Sequence, residues 1–118
     1  MIRRAAILAT LLRNERRPLA ALLDAQFLRL RALVGHAWAH VPGYRALWRE
    51  HGVEPSQLRS PEDMARWPVV DKATMRRLGV ASFVDERLGG TAALLRCSSS
   101  GSSGVPFDFW FSREHDQW

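Results

Sequence analysis

The chain has 118 residues, 47% of them hydrophobic and 25% charged, which excludes a disordered chain and leaves room for one domain with a modest core. Seventeen Lys and Arg against twelve Asp and Glu give a net charge of +5 and make polyanions natural partners to consider. Beyond the cluster Arg3, Arg4, Arg13, Arg16 and Arg17, however, the basic residues mostly alternate with acids along helical stretches, the pattern of a solvated face rather than of a nucleic-acid surface. Cys97 is the only cysteine, which excludes an internal disulfide and a Cys-rich metal cluster and leads us to expect a reducing, cytoplasmic setting.

The opening MIRRAAILATLLRNERR sets two arginines ahead of the apolar run Ala5 to Leu12, in the manner of a weak secretory signal. No small-residue cleavage pattern follows and the run is too short to span a bilayer, so an amphipathic or frayed first helix is expected; a peripheral membrane contact is the sharper alternative. From Pro18 to Val41, Phe27, Leu30, Val34, Ala37 and Val41 recur at steps of three and four and predict one apolar stripe on a helix. Pro42 is expected to close it, with Pro42-Gly43 forming a turn before a second helix, Tyr44 to His51, capped by Gly52.

Ser60-Pro61-Glu62-Asp63 reads as a helix start, with Ser60 as N-cap, Pro61 in the first helical position and acids where the helix dipole favours them. Trp67-Pro68 ends that short helix, Val69-Val70 passes through extended backbone, and Asp71 caps another helix to about Leu78. Residues 1–91 are thus expected to be mainly helical. Ala92 to Arg96 then forms a brief apolar run, and Phe107, Phe109 and Phe111 alternate with Asp108, Trp110 and Ser112 at the period of a strand. Residues 92–118 are expected as strand, wide loop, strand and the start of a helix capped by Ser112. No internal repeat is visible.

Between the two predicted strands lies Ser98 to Gly104, five serines and two glycines in seven positions. Glycines three apart let successive N–H groups turn inward without a Cβ in the way, and such nests bind anions; rotating hydroxyls add donors suited to phosphate oxygens. A Walker loop is excluded, because Gly101 and Gly104 are too close, Val105 stands where lysine would be and a strand follows. A dinucleotide fingerprint is excluded by the absence of a strand-to-helix turn. A flexible linker is the bland alternative, but the flanks read as strands at hairpin distance and Pro106 stiffens the exit.

Ser99-Ser100-Gly101-Ser102-Ser103-Gly104-Val105-Pro106 resembles the Thr/Ser-Ser-Gly-Ser/Thr-Thr/Ser-Gly-x-Pro motif of the adenylate-forming ligases. LRALVGHAWAHVPGYRALWREHGVEPSQLRSPEDMARWPVVDKATMRR, residues 30–77, is similar to the N-terminal region of the phenylacetate–CoA ligase branch, which includes CapK-like proteins. Together the two matches cover about half of the chain. The resemblance implies an α/β ligase fold of which residues 1–118 are the N-terminal portion of the large domain, with short helices followed by a β-hairpin carrying the phosphate loop. It implies ATP and Mg2+ as cofactors, a small carboxylic acid as substrate and coenzyme A as acceptor. Ser99, Ser100, Gly101, Ser102, Ser103 and Gly104 would be the phosphate-binding positions. Serine at 103 in place of the usual threonine keeps the hydroxyl and loses the methyl that restrains its rotamer. The family's adenine and ribose contacts, carboxylate pocket, metal-binding acid and mobile-domain lysine lie beyond residue 118, so no catalytic residue is named and a truncated, inactive ligase segment is expected. Self-association through exposed strand edges is expected as well.

Other constellations are weaker. His36 and His40 have the spacing of a two-histidine metal site, but no third ligand is placed with them; no metal site is expected, and the resemblance makes His36 a structural position satisfying carbonyls near a helix end. The loop serines with His115 and Asp116 lack a nucleophile elbow. Cys97, at the end of a strand, reads as a small buried apolar residue. The competing functional class is a basic helical module with a Ser/Gly tail that binds nucleic acid or an anionic membrane surface.

Overall fold

The computed structural model describes residues 2–99 and 106–112, with side chains from residue 8 onward. Helix α1 covers Ile2–Glu15 and α2 covers Leu19–His40. The expected stripe of α2 is buried only toward its C-terminal end, at Val34 and Ala37 and then at Val41 beyond it; Phe27 and Leu30 are half-buried, and Leu19, Leu23 and Leu33 are exposed. The helix runs past the rest of the core, so its period is longer than its partner.

Pro42 does not open a turn. Helix α3 spans Pro42–Glu50 with Pro42 as its first residue, and Val41 alone, at φ −122° and ψ 98°, changes the chain direction between α2 and α3. A first helical residue donates no intrahelical bond, so proline loses nothing there. Arg45 of α3 completes the junction by donating to the carbonyls of Trp38 and Ala39 at 3.1 and 3.0 Å, satisfying the C-terminal end of α2. At the other end of α3, Gly52 takes φ +64°; its N–H reaches the Arg49 carbonyl and that of Val53 reaches the Trp48 carbonyl. That pair of bonds is the Schellman closure, which requires a residue free to adopt the left-handed region.

Pro61–Arg66 forms a 3-10 helix rather than an α-helix. Its start is as expected: the Asp63 carboxylate accepts the N–H of Ser60 at 2.8 Å and of Arg59 at 2.9 Å. Pro68 keeps the residue before it, Trp67, out of the helical region, and the short stretch left after Ser60 winds in the tighter 3-10 form. Trp67 ends this helix in extended backbone, and α4 follows at Lys72–Leu78, where the Asp71 carboxylate accepts the Thr74 N–H at 2.7 Å.

The core gathers Val34, Ala37, Val41, Leu47, Trp48, Leu58 and Trp67. Leu47 and Leu58 are 2% and 1% exposed, each worth about 1.5–3 kcal/mol of burial. Trp48 is the hub: its ring stacks on Trp38 at 6.3 Å and meets Tyr44 at 5.2 Å and Trp67 edge-on at 4.7 Å. Residues 80–93 then cross the surface of this core in three short 3-10 turns, Val80–Phe83, Glu86–Leu88 and Thr91–Ala93. Gly43 admits them closely, since a Cβ there would stand 2.6 Å from Ser82 Oγ and 2.8 Å from the Phe83 ring.

Strands β1, Leu95–Ser98, and β2, Asp108–Phe111, pair antiparallel with Leu95 opposite Phe111 and Ser98 opposite Asp108. The first strand therefore begins three residues later than the run from Ala92 suggests. Residues 91–93 coil instead, and pairing starts only where Phe111 supplies a partner. The described portion is mostly helical with a two-stranded sheet. The helix expected from Ser112 lies outside the described residues.

Candidate functional site: the mouth of the Ser/Gly loop

Of the six expected phosphate-binding positions, Ser99 is described; Ser100, Gly101, Ser102, Ser103 and Gly104 lie outside the described residues. Ser99 sits one step beyond the last paired residue of β1 and continues the ladder. Its N–H donates to the Phe107 carbonyl at 2.9 Å, and its Oγ accepts the Phe107 N–H at 3.0 Å. With the oxygen engaged as acceptor, the hydroxyl still has its own proton to donate. The two ends of the Ser/Gly stretch are thus held together by backbone and side-chain bonds, which a slack tether between independent units would not need.

One pair further from the loop, Asp108 accepts Ser98 Oγ at 2.7 Å and Arg96 Nη2 at 2.5 Å. The Arg96 guanidinium first, and the Ser98 hydroxyl after it, hold the Asp108 carboxyl below its ordinary range. This cross-strand pair fixes the register on the exposed face of the hairpin.

Helix α4 provides the other side of the mouth. Phe107 is 9% exposed, and the Lys72 ammonium and Arg76 guanidinium each stand 5.8 Å from its ring centroid. Arg76 Nη2 also donates to the Pro106 carbonyl at 3.5 Å. Lys72 and Arg76 are four residues apart and so share one face of α4, while Arg77, next along, forms a two-pronged pair with Glu50 of α3 at 3.1 and 2.7 Å. Two cations therefore flank the place where the chain leaves and re-enters the sheet. The i, i+4 spacing was visible in the sequence; that it faces Phe107 was not.

The remaining candidates fall elsewhere. His36 does not satisfy helix-end carbonyls: its Nε2 lies 2.9 Å from Asp85 Oδ2, and it is His51 Nδ1 that reaches a carbonyl, that of Leu47, at 2.9 Å. A carboxylate from 49 residues downstream outcompetes the local acceptors because it is ionised and the carbonyls are not. The His36 and His40 rings are 5.1 Å apart, and among the described residues no group of three or more His, Cys, Asp or Glu side chains could hold a metal ion. Cys97 is half-buried opposite Phe109. His115 and Asp116 lie outside the described residues. Among those described, no helix is long and apolar enough to cross a membrane.

No family model matches the chain. It is 33% identical over 84 residues, 69% of its length, to the phenylacetate-coenzyme A ligase of Aromatoleum evansii, and 34% identical over 95 residues, 78% of its length, to the phenylacetate-coenzyme A ligase of Thermus thermophilus. A crystal structure of 2-hydroxyisobutyryl-CoA ligase in complex with 2-HIB-AMP and CoA superposes with a TM-score of 0.67 at 36% identity, covering 83% of this chain and 21% of that one. A second structure of that ligase, in the postadenylation state with 2-HIB-AMP, gives a TM-score of 0.67 at 34% identity. The chain spans about a fifth of the length of these relatives. Shared sequence and shared helix-to-hairpin geometry together make it a member, as an N-terminal segment, of the adenylate-forming ligases on the phenylacetate–coenzyme A ligase side of that superfamily.

Proposed function

We propose that the Ser/Gly stretch binds the triphosphate of ATP in a carboxylate-activating, AMP-forming reaction followed by transfer of the acyl group to coenzyme A. The observation that carries this reading is the clamp between Ser99 and Phe107, which ties both ends of the stretch to one sheet beside Lys72 and Arg76. In the reaction a carboxylate oxygen attacks the α-phosphorus, the bond to the bridging oxygen breaks and pyrophosphate leaves; the thiol then attacks the acyl carbon and AMP departs. Residues 99–104 would present donors to the β- and γ-phosphates, holding the leaving group in line and meeting its growing charge with fixed dipoles. Ser99 keeps a proton to give, and the ammonium of Lys72 and guanidinium of Arg76 raise the local potential for a polyanion. Mg2+ enters as the counter-ion of the nucleotide, and no residue of this chain is assigned to it.

On this reading residues 1–118 form part of the large domain of a cytoplasmic enzyme, and the activating chemistry needs groups outside the segment. Placed in the Thermus thermophilus relative in exchange for the matching segment, the chain should support carboxylate-dependent exchange of pyrophosphate into ATP. Gly101→Val with Gly104→Val should abolish that exchange with helical content unchanged. Exchange undiminished by the double substitution would overturn the assignment. The 118-residue chain alone should bind MgATP weakly and release no pyrophosphate.

A further inference from the structure

The nucleotide reading leaves one polar cluster without a task. His36, on the last turns of α2, lies 2.9 Å from Asp85 Oδ2. Asp85 Oδ1 accepts the backbone N–H of Arg87 at 2.9 Å and its Nε at 3.1 Å, and Oδ2 accepts Arg87 Nη2 at 2.8 Å. Arg87 Nη2 is also 3.3 Å from both ring nitrogens of His36, an equal pair of distances that sets the guanidinium against the ring face rather than in line with either lone pair. The Asp85 side chain is 15% exposed although the turn that bears it lies on the surface. Among the described residues, further charged or titratable groups here are His40, one turn along α2, and Glu86, whose carboxylate is 4.0 Å from the Arg45 guanidinium.

Two features make this more than a surface pair. Asp85 joins α2 to the stretch 80–93 that runs directly into β1, so it bridges the helical core and the sheet. It also lines a groove of about 290 Å3 together with Phe83, Leu88 and Leu94 and, from β2, Trp110 and Phe111. We infer that His36, Asp85 and Arg87 form a latch that sets the position of the strand pair, and hence of the Ser99–Phe107 mouth, relative to α4. His36 is then a positioning residue for the nucleotide loop. This rests on the nucleotide reading for its function, though not for its geometry.

The test uses the 118-residue chain, with amide exchange read by NMR and MgATP as the probe. His36→Ala should speed exchange in β1 and β2 about tenfold and weaken MgATP binding by a similar factor, with α2–α3 amides unchanged. His36→Gln, which keeps an N–H at the end of a side chain of similar length, should restore most of both. Strand exchange unaffected by His36→Ala would overturn the latch, as would equal loosening of the α2–α3 amides without rescue by glutamine. Loosened strands with undiminished MgATP affinity would overturn its link to the loop. A wild-type chain that responds to these substitutions in exchange but does not bind MgATP would overturn the nucleotide reading and leave the latch standing.

Discussion

The helical region from Phe27 to Leu78 and the strand pair at 95–111 solve the same problem by opposite means. The first encloses its own rings: Trp48 touches Trp38, Tyr44 and Trp67, and the two most buried side chains, Leu47 and Leu58, lie beside them. The second encloses little. Phe107 is buried against α4, but Phe109 is 40% exposed, and among the described residues its ring meets that of Phe111, tilted, at 6.1 Å. A two-stranded ribbon is marginal without a surface to pack on, so the helical region is the foundation and the hairpin a dependent element. On the proposed nucleotide reading, the Ser/Gly stretch stands on the weaker of the two, where opening is cheapest.

The substitution with the largest expected effect addresses the foundation. Trp48→Ala should lower stability by about 3–5 kcal/mol, read from a thermal or urea melt, and carry the hairpin with it. If strand amides stayed protected in this variant, the dependence would run the other way. Next comes the seam between the regions. Gly43→Ala puts a Cβ within 3 Å of Ser82 and Phe83, and overpacking of this kind costs about 1–3 kcal/mol. Exchange should rise first at residues 80–84, and uniform loosening of α2 and α3 would argue against a distinct seam.

A pH titration sharpens the comparison further. Asp63, held by the N–H groups of Ser60 and Arg59, and Asp71, held by that of Thr74, both titrate below their ordinary value of 3.8 in the folded chain. Arg87 lowers Asp85 more strongly, and Arg96 with Ser98 lowers Asp108. Because each folded value is depressed, the stability these groups contribute is fully present above the unfolded value and lost as pH falls through the folded one. Melting temperature should therefore be flat down to about pH 5 and decline from about pH 4. Asp108→Asn should flatten the acid response of the strand amides and leave that of the helices intact. The smallest effect is expected at Phe109→Thr, which should change stability by no more than about 0.5 kcal/mol while reducing self-association in sedimentation. A large loss of stability there would mean that the exposed strand face is covered in solution.

Helix boundaries were legible wherever the signal is local. Ser60, Asp71 and Gly52 end or begin elements through bonds to residues within four positions, and all three act as their residue types suggest. The stripe of α2 was legible too, because burial repeats with the helix. Pro42 closes α2 as expected, but Pro42-Gly43 opens α3 directly instead of a turn, because proline costs nothing in the first helical position. The start of β1 misled because an apolar run carries no register, whereas Phe111 does. For the candidate site, composition and resemblance pointed to residues 99–104, but neither indicated that Ser99 closes on Phe107 or that Lys72 and Arg76 face its ring.

The order of elements and the caps follow from the sequence alone, since each depends on neighbours a turn or less away. The tertiary structure decided the rest: which half of α2 is covered, which acid His36 meets across 49 residues, and which helix supplies cations to the loop mouth. Those outcomes depend on how far apart surfaces come to lie once the aromatic core has closed. Side-chain periodicity in one element says that a face will be buried, but the identity of its partner is set by packing between elements.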